Sequence, residues 1–280
     1  MTTRTAPATT DRSPPRVPAG TPAWVPPVGL LATLVVVAEA TVRLLDVPDY
    51  VMPAPSEVAA VLAGNAEVIA GHTVSTFTTA VLGLVAGTVV GVTLAVAMSA
   101  SAALRAALYP LVVVSQSIPM VILAPLFVVW FGFGPLPRLL VVALVAFFPV
   151  AVATVSGLAS ADRDQVDLVR AMGGSRRDVA RHVLVPGALP NLFTGLKVAA
   201  SYAMFGAVVG EWIGASSGLG LYLERSRASF ATDQMFAAVL VIAAISVVLV
   251  GLVFALERAA LPWQAAERAQ HKAATTQAAW

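Results

Sequence analysis

Charged side chains are concentrated in one internal stretch of the chain, residues 162–182. It carries five arginines and four aspartates, whereas only 11% of all 280 residues are charged. A surface helix that binds anionic lipid would be one-sidedly basic, and this stretch is nearly neutral. Mixed charge beside a narrow apolar stripe favours docking to another protein, with a merely solvated loop as the alternative.

A second group of polar side chains interrupts long apolar runs. Ser115, Gln116 and Ser117 precede Pro119, which has no amide hydrogen to donate and opens a helix locally. Glu211 lies near the end of another apolar run, beside Trp212. Polar groups at membrane depth are costly unless satisfied, so these four are candidates to line a path for a solute. The alternatives are burial in helix packing for the first three and an interfacial anchor for Glu211.

Residues for catalysis are missing from the sequence. The three histidines, at positions 72, 182 and 271, are far apart, and no HExxH pair exists for a metalloprotease. No cysteine is present, and no Walker A loop exists to bind ATP. We therefore predict no enzyme activity, no metal and no cofactor. If ATP drives this protein, another chain must bind it.

Composition places the chain in a membrane. Hydrophobic residues make up 58% of it, and the mean hydropathy is +0.85. Apolar stretches of about 20 residues recur, each long enough to cross the bilayer as a helix, whereas a β-barrel would show shorter alternating segments. We predict an all-α polytopic membrane protein with about six transmembrane helices, near residues 28–45, 73–103, 104–131, 136–158, 192–213 and 235–256. The net charge of +2 gives no reason to expect nucleic acid as a partner.

The predicted organisation has four parts. Residues 1–22 form a disordered cytoplasmic tail, 23–68 the first transmembrane helix and an external segment, 69–256 the main transmembrane domain, and 257–280 a second cytoplasmic tail. Basic residues set the orientation, because short cytoplasmic loops carry the positive excess. Placing both termini and the charged stretch inside puts thirteen basic residues there and three outside.

Two further patterns concern the spans. Ionisable residues are nearly absent from them, and Glu39 with Arg43 is spaced as a mutual ion pair, which disfavours a proton- or sodium-driven carrier. Small residues recur every fourth position from Ser75 to Ser99, forming one face on which helices can approach closely. That face indicates either a seam between subunits or packing within the chain.

The charged stretch itself predicts two short helices. Val166, Val169 and Met172 recur every three residues between Asp164 and the Gly173-Gly174 pair that ends the first helix. Ser175 is placed to cap a second helix, whose apolar side includes Val179 and which we expect Pro186 to stop. We call residues 162–184 the knob.

The knob resembles the cytoplasmic signature loop of ABC importer permeases, in which a Glu-Ala-Ala triplet, a glycine and a later Leu-Pro follow one another. Asp167-Leu168-Val169 stands at the triplet, Gly173 at the glycine and Val185-Pro186 at the Leu-Pro. The acid is Asp rather than Glu, and neither alanine is kept. The resemblance implies a loop that couples to an ATPase through Asp167, Val169, Met172, Gly173, Ser175, Val179, Pro186, Pro190 and Gly195.

The resemblance extends over residues 51–258. "VMPAPSEV", "LAPLFVVWFGFG" and "GEWIGASSGLG" are similar to permeases of the nitrate, sulfonate and taurine group, and the last also to permeases for pyrimidine precursors of thiamine. It implies a type I importer fold in the bacterial plasma (inner) membrane. The implied partners are cytoplasmic ABC ATPase subunits, a second permease subunit in a homodimer, and an extracytoplasmic binding protein that delivers a small organic or anionic solute. A passive channel or membrane scaffold is the alternative.

Overall fold

The computed structural model describes residues 25–263, all of whose regular elements are helical. The predicted tail 1–22 and residues 264–280 of the second tail lie outside this range. The helices are α1 (Val25–Leu44), α2 (Pro55–Gly64), α3 (Ala66–Ala100), α4 (Ala102–Ser115), α5 (Met120–Phe131), α6 (Pro135–Ala159), α7 (Arg163–Ala171), α8 (Arg176–Val179), a π segment (Ala180–Leu184), α9 (Val185–Glu211), α10 (Leu219–Ala228) and α11 (Thr232–Ala260).

These residues fall into two compact units, one ending at Val47 and one beginning at Pro48. The first contains α1, the helix that corresponds to the first predicted span. Within α1 the predicted ion pair is present, with Arg43 Nε donating to Glu39 Oε1 at 2.5 Å. All other helices belong to the second unit.

Four helices of the described range are long and apolar enough to cross a membrane: α3, the continuous Arg176–Glu211 helix, α6 and α11. The third predicted span, which its three prolines were expected to break, consists of two helices, and α4 and α5 meet at a bend of 100°. Counted as one broken span, they raise the total to five. Of the three prolines in that span only Pro119 breaks the chain, while α4 continues through Pro110 and α5 through Pro125.

The small residues of α3 pack against α6 within the same chain. A methyl group built on Gly87 would lie 2.6 Å from the carbonyl oxygen of Ala143, and one on Gly91 would lie 2.6 Å from that of Phe147. Such close approach is possible only without a side chain at these positions. The face that α3 presents from Gly83 to Ala95 is therefore an intrachain seam.

Helix α6 is the centre of the bundle, with α3 on one side and α9 on the other. Residue numbers rise together along the α3–α6 contact, from Gly83 against Val142 to Gly91 against Phe147, so these two helices are parallel. Along the α6–α9 contact the order is reversed: Gly195 of α9 packs against Pro149, and the later Gly206 packs against the earlier Val142. Helix α9 is therefore antiparallel to α6. Because α3 and α6 are parallel, α4 and α5 together must return the chain across the bundle between them.

A buried ion pair joins α9 to α11. Lys197 Nζ lies 2.6 Å from Glu257 Oε2 and 4.6 Å from the centre of the Phe254 ring. This finding corrects one prediction. Helix α11 continues through residue 257, where the polar tail was expected to begin, and its last turns hold the partner of Lys197.

Candidate functional site

The first helix of the knob ends in a turn that two glycines make possible. Its start is capped by Asp162, whose side chain accepts a hydrogen bond from the Asp164 amide at 2.9 Å. At its end the Gly174 amide donates to the Val169 carbonyl, and the Gly173 amide donates to that of Arg170, both at 2.9 Å. These two bonds form a Schellman motif, which satisfies carbonyls that a helix end leaves free.

The two glycines serve this turn for different reasons. Gly173 has a φ of +82° and open space around it, so only its backbone conformation requires glycine. Gly174 has ordinary φ, but a methyl group there would lie 2.7 Å from the Val169 carbonyl oxygen. The structure therefore has the helix end where the sequence predicted it, and adds Gly174 as a position of close backbone approach.

The second helix of the knob begins with reciprocal capping. The Ser175 hydroxyl accepts from the Asp178 amide at 3.3 Å, and the Ser175 amide donates to the Asp178 carboxylate at 2.8 Å. The Asp178 carboxylate also accepts from the Ser175 hydroxyl, which holds the pair together at 2.6 Å. This is the capping arrangement expected of Ser175, with Asp178 in the place of the usual Glu or Gln.

The prediction that Pro186 stops this helix is wrong. The chain passes from α8 through the π segment into α9 without interruption, giving one helix from Arg176 to Glu211. The Val185 amide bonds to the Ala180 carbonyl, five residues back, and Pro186 follows as an early residue of α9. A wide turn just before the proline, where a missing amide is tolerated, lets the helix continue.

Apolar side chains of the knob divide into exposed and buried ones. Met172 is 80% exposed and Leu168 is 61% exposed, although α7 is otherwise strongly polar. Val179, predicted to be part of a docking stripe, is only 5% exposed. That prediction is wrong for Val179, which packs inside the chain. The predicted stripe consisted of Val166, Val169, Met172 and Val179. Leu168, four residues before Met172, was not included in it, and this helical spacing was the signal for Leu168.

The remaining predicted knob residues have mixed environments. Asp167 is exposed and lies 3.6 Å from the Arg170 guanidinium, and Val169 is partly buried beneath Gly174. Pro190 and Gly195 belong to α9, and Gly195 packs against the Pro149 carbonyl of α6. These last two residues therefore join the knob's helix to the bundle and do not face outward from the knob.

The bend between α4 and α5 borders an open groove of about 560 Å³. Of the predicted path residues only Gln116 lines it. The other lining residues come from the bend, α5, α6 and α9: Ile118, Pro119, Met120, Val145, Ser201, Tyr202 and Phe205. Ser201, Tyr202 and Phe205 were not predicted, although a hydroxyl and two aromatic rings within five residues of one helix were visible in the sequence.

Ser115 and Ser117 have other positions at this bend. The Ser115 hydroxyl donates to the Val112 carbonyl at 2.7 Å, which is the local bonding that the sequence left as an alternative. Ser117 is exposed, and its amide bonds to the Val114 carbonyl in the turn. Neither lines the groove.

The prediction that Glu211 lines a path is contradicted by its burial. Its side chain is fully buried, and its carboxylate accepts hydrogen bonds from Thr76 Oγ1 at 2.9 Å and from the Gly220 amide at 2.9 Å. Thr76 belongs to α3, and Gly220 to the first turn of α10. A carboxylate so enclosed by its own chain is unavailable to a passing solute in this structure.

Comparison with known proteins agrees with this architecture. Residues 81–262 match the family model described as "Binding-protein-dependent transport system inner membrane component". A riboflavin transport system permease protein of Chloroflexus aurantiacus is 37% identical to this chain, and the match covers 86% of this chain and 91% of the relative. A formylaminopyrimidine transport permease protein of Halalkalibacterium halodurans is 33% identical, over 82% of this chain and 92% of its own.

A solved structure supports the fold. A chain of the MetNI methionine ABC transporter superposes with a TM-score of 0.57 at 22% identity, covering 71% of this chain and 97% of the other. The type I importer permease fold predicted from the sequence is thereby confirmed. Residues 81–262 contain the seam of α3 and α6, the bend, the knob and Glu211, whereas Thr76, which bonds to Glu211, lies just before them. The chain belongs to the family of inner membrane components of binding-protein-dependent ABC import systems.

Proposed function

We propose that this permease subunit receives its ATPase on the knob, through Leu168 and Met172. The observation that carries the proposal is the exposure of two apolar side chains, Leu168 within the strongly polar helix α7 and Met172 at its C-cap. The Schellman turn and the Ser175 cap hold α7 at a fixed angle to the Arg176–Glu211 helix. A rigidly held apolar pair within a charged rim suits insertion into a groove of another protein.

This docking predicts that Leu168→Glu and Met172→Glu lose the ATPase. A charge forced into an apolar groove costs a few kcal/mol, which lowers association by about a hundredfold. The measurement is the amount of ATP-hydrolysing partner that co-purifies with each variant. Phe230→Glu serves as the matched control, since Phe230 is equally exposed but follows α10.

The outcomes of this experiment separate the two candidate functions. A passive channel or membrane scaffold has no ATPase to lose, so the unaltered chain would then purify without one. If an ATPase co-purifies equally well with Leu168→Glu and Met172→Glu, the knob is not its docking site.

The groove at the α4–α5 bend is our proposal for part of the path. It is open on one side, where Tyr202 and Phe205 are each 53% exposed. We propose that a second copy of the chain covers this side in a homodimer, so that two grooves together enclose the solute. The amide of Gln116 and the hydroxyls of Ser201 and Tyr202 offer neutral hydrogen-bonding groups to it.

The solute we propose is a small organic or anionic compound of the sulfonate, taurine, nitrate or pyrimidine-precursor type, delivered by an external binding protein. The relative named for formylaminopyrimidine transport supports the pyrimidine-precursor type among these. The alternation of groups around the groove, with aromatic rings beside an amide and hydroxyls, is compatible with such a heterocycle.

Orientation follows from the basic residues, and we propose that the knob and both termini are cytoplasmic. Labelling of single cysteines can test this without background, because the chain has no cysteine of its own. Met172 and Ser216 are exposed and lie at opposite ends of the bundle, so each is a suitable site. An impermeant thiol reagent applied to intact cells, or to spheroplasts, should label Ser216→Cys and leave Met172→Cys unlabelled. Labelling of Met172→Cys from outside would reverse the orientation.

A further inference from the structure

The helix α10 lacks a capping side chain of its own. Its N-cap residue is Gly218, which has a φ of +133° and no side chain to accept a hydrogen bond. The first amides of a helix need acceptors, and a negative group is favoured at this end. Here the acceptors come from two other helices of the bundle.

Glu211, the last residue of α9, is one of them. Its carboxylate accepts from the Gly220 amide at 2.9 Å, and Thr76 Oγ1 accepts from the Leu219 amide at 2.8 Å. The same Thr76 oxygen lies 2.9 and 3.0 Å from the two carboxylate oxygens. A methyl group built on Gly218 would overlap this carboxylate, so only a glycine at this position leaves room for the Glu211 side chain. We call Thr76, Glu211 and the amides of Leu219 and Gly220 the latch.

The loop before α10 is fixed by further bonds to the same neighbours. The Gly218 amide donates to His72 Nδ1 at 2.9 Å, and the Ser217 carbonyl accepts from Arg138 at 3.2 Å. The hydroxyls of Ser75 and Ser217 are 3.0 Å apart. The ends of α3, α6 and α9 therefore hold this loop, but only α9 is also continuous with the knob.

The continuity of α9 with the knob connects the latch to the knob. Thirty-six residues form one helix from Arg176 in the knob to Glu211 in the latch. At a rise of about 1.5 Å per residue, this helix is about 54 Å long, and no break separates its ends. A tilt of α9 would therefore displace the latch, and through it α10.

We propose that Glu211 is a positioning residue which, with Thr76, makes α10 move together with α9. It thereby links the end of the bundle that receives the binding protein to the knob that receives the ATPase. This inference rests on the function proposed above. The family resemblance gave Glu211 no role, and in this structure its carboxylate is enclosed by its own chain.

Thr76 allows a matched test. Thr76→Val keeps the shape of the side chain but removes both the donor to Glu211 and the acceptor for the Leu219 amide. The bond between Glu211 and the Gly220 amide then remains, but its carboxylate lacks the hydroxyl that orients it. Thr76→Ser keeps both the donor and the acceptor. Because Thr76 touches neither the knob nor the groove, the ATPase should assemble equally with both variants.

The experiment measures ATP hydrolysis by the complete importer in lipid nanodiscs, with and without its purified binding protein. The binding protein is used as purified, with no ligand added. In Thr76→Val we expect the stimulation of ATP hydrolysis by the binding protein to be about fivefold smaller, or less, than in the unaltered importer. Unstimulated hydrolysis and the amount of assembled complex should stay within about twofold of the unaltered importer. Thr76→Ser should keep the stimulation. Equal stimulation of both variants would overturn the proposal.

A second readout distinguishes coupling from mere support of the fold. Ala228 is exposed on α10, and Ala228→Cys gives the chain its single thiol. We expect ATP to change the labelling rate of this thiol in the Thr76→Ser background and to leave it unchanged in the Thr76→Val background. If the latch only supports the fold, Thr76→Val will raise the labelling rate equally with and without ATP. That result would also overturn the proposal. If no ATPase assembles even with the unaltered chain, the proposed function fails instead of the latch.

Discussion

Gly173→Val is expected to insert normally and to abolish transport. With a φ of +82°, this position costs a β-branched residue about 1–3 kcal/mol, although the space around it is open. The cheapest relief is to leave the left-handed conformation, which breaks the bonds from Gly173 and Gly174 and turns α7 away from α8. Leu168 and Met172 would then no longer face one groove together. ATP-dependent uptake should fall at least tenfold, and the amount of protein in the membrane should not change.

Two variants make this result specific to the backbone. Gly173→Asn should retain much of the uptake, because Asn adopts positive φ more readily than other residues. Gly187→Val adds the same side chain at an exposed glycine of ordinary φ with nothing within 4 Å, and should be mild. Full uptake by Gly173→Val would show that the angle of the knob does not matter for coupling.

Gly87→Leu is expected to destabilise the fold strongly. Even its first side-chain atom would lie 2.6 Å from the Ala143 carbonyl oxygen and 2.8 Å from the Ala146 Cβ. Both belong to the central helix α6, whose backbone cannot move without separating from α9. Overpacking costs typically about 1–3 kcal/mol, and more where the obstacle is backbone, so the ratio of folded to unfolded protein should fall at least about tenfold.

The measurement is the monodisperse fraction of detergent-extracted protein. Gly71→Leu is the control, since it lies on the same helix with nothing within 4 Å and should behave as the unaltered chain. If Gly87→Leu folds as well as Gly71→Leu, the seam between α3 and α6 is less tight than the structure indicates.

Helix positions follow from the sequence wherever apolar length decides them. The fourth span, predicted at residues 136–158, is observed as α6 at 135–159. The fifth begins seven residues earlier than the predicted 192, because prolines at 186 and 190 remain within a helix that the π segment continues. A proline removes one amide wherever it occurs, so its sequence position alone does not say whether the chain bends.

The bend at Pro119 illustrates what else is needed. There the preceding turn is closed by the amides of Gln116 and Ser117, and Ser115 bonds back to Val112. Two backbone amides and the hydroxyl of Ser115 thus supply replacement bonds before this proline. Apolar neighbours surround Pro110 and Pro125, and both helices continue through them.

Functional residues were predictable where local chemistry determines them. The capping by Ser175 and the turn at Gly173 depend on neighbours within a few positions, and both were correctly placed. The latch joins Thr76 to Glu211 across 135 positions of sequence, and no local pattern relates them. Burial of Val179 likewise depends on what the rest of the chain places over it.

The ion pair between Lys197 and Glu257 constrains how the chain is synthesised. Lys197 enters the membrane with α9, but its partner is in the last turns of α11. At about 5–20 residues per second, Glu257 is translated several seconds later. Until then α9 carries an uncompensated charge that hydrocarbon disfavours. Pairing with Glu257 removes this cost only once α11 is in place, so the contact between α9 and α11 is completed after the other helices of the described bundle have been translated.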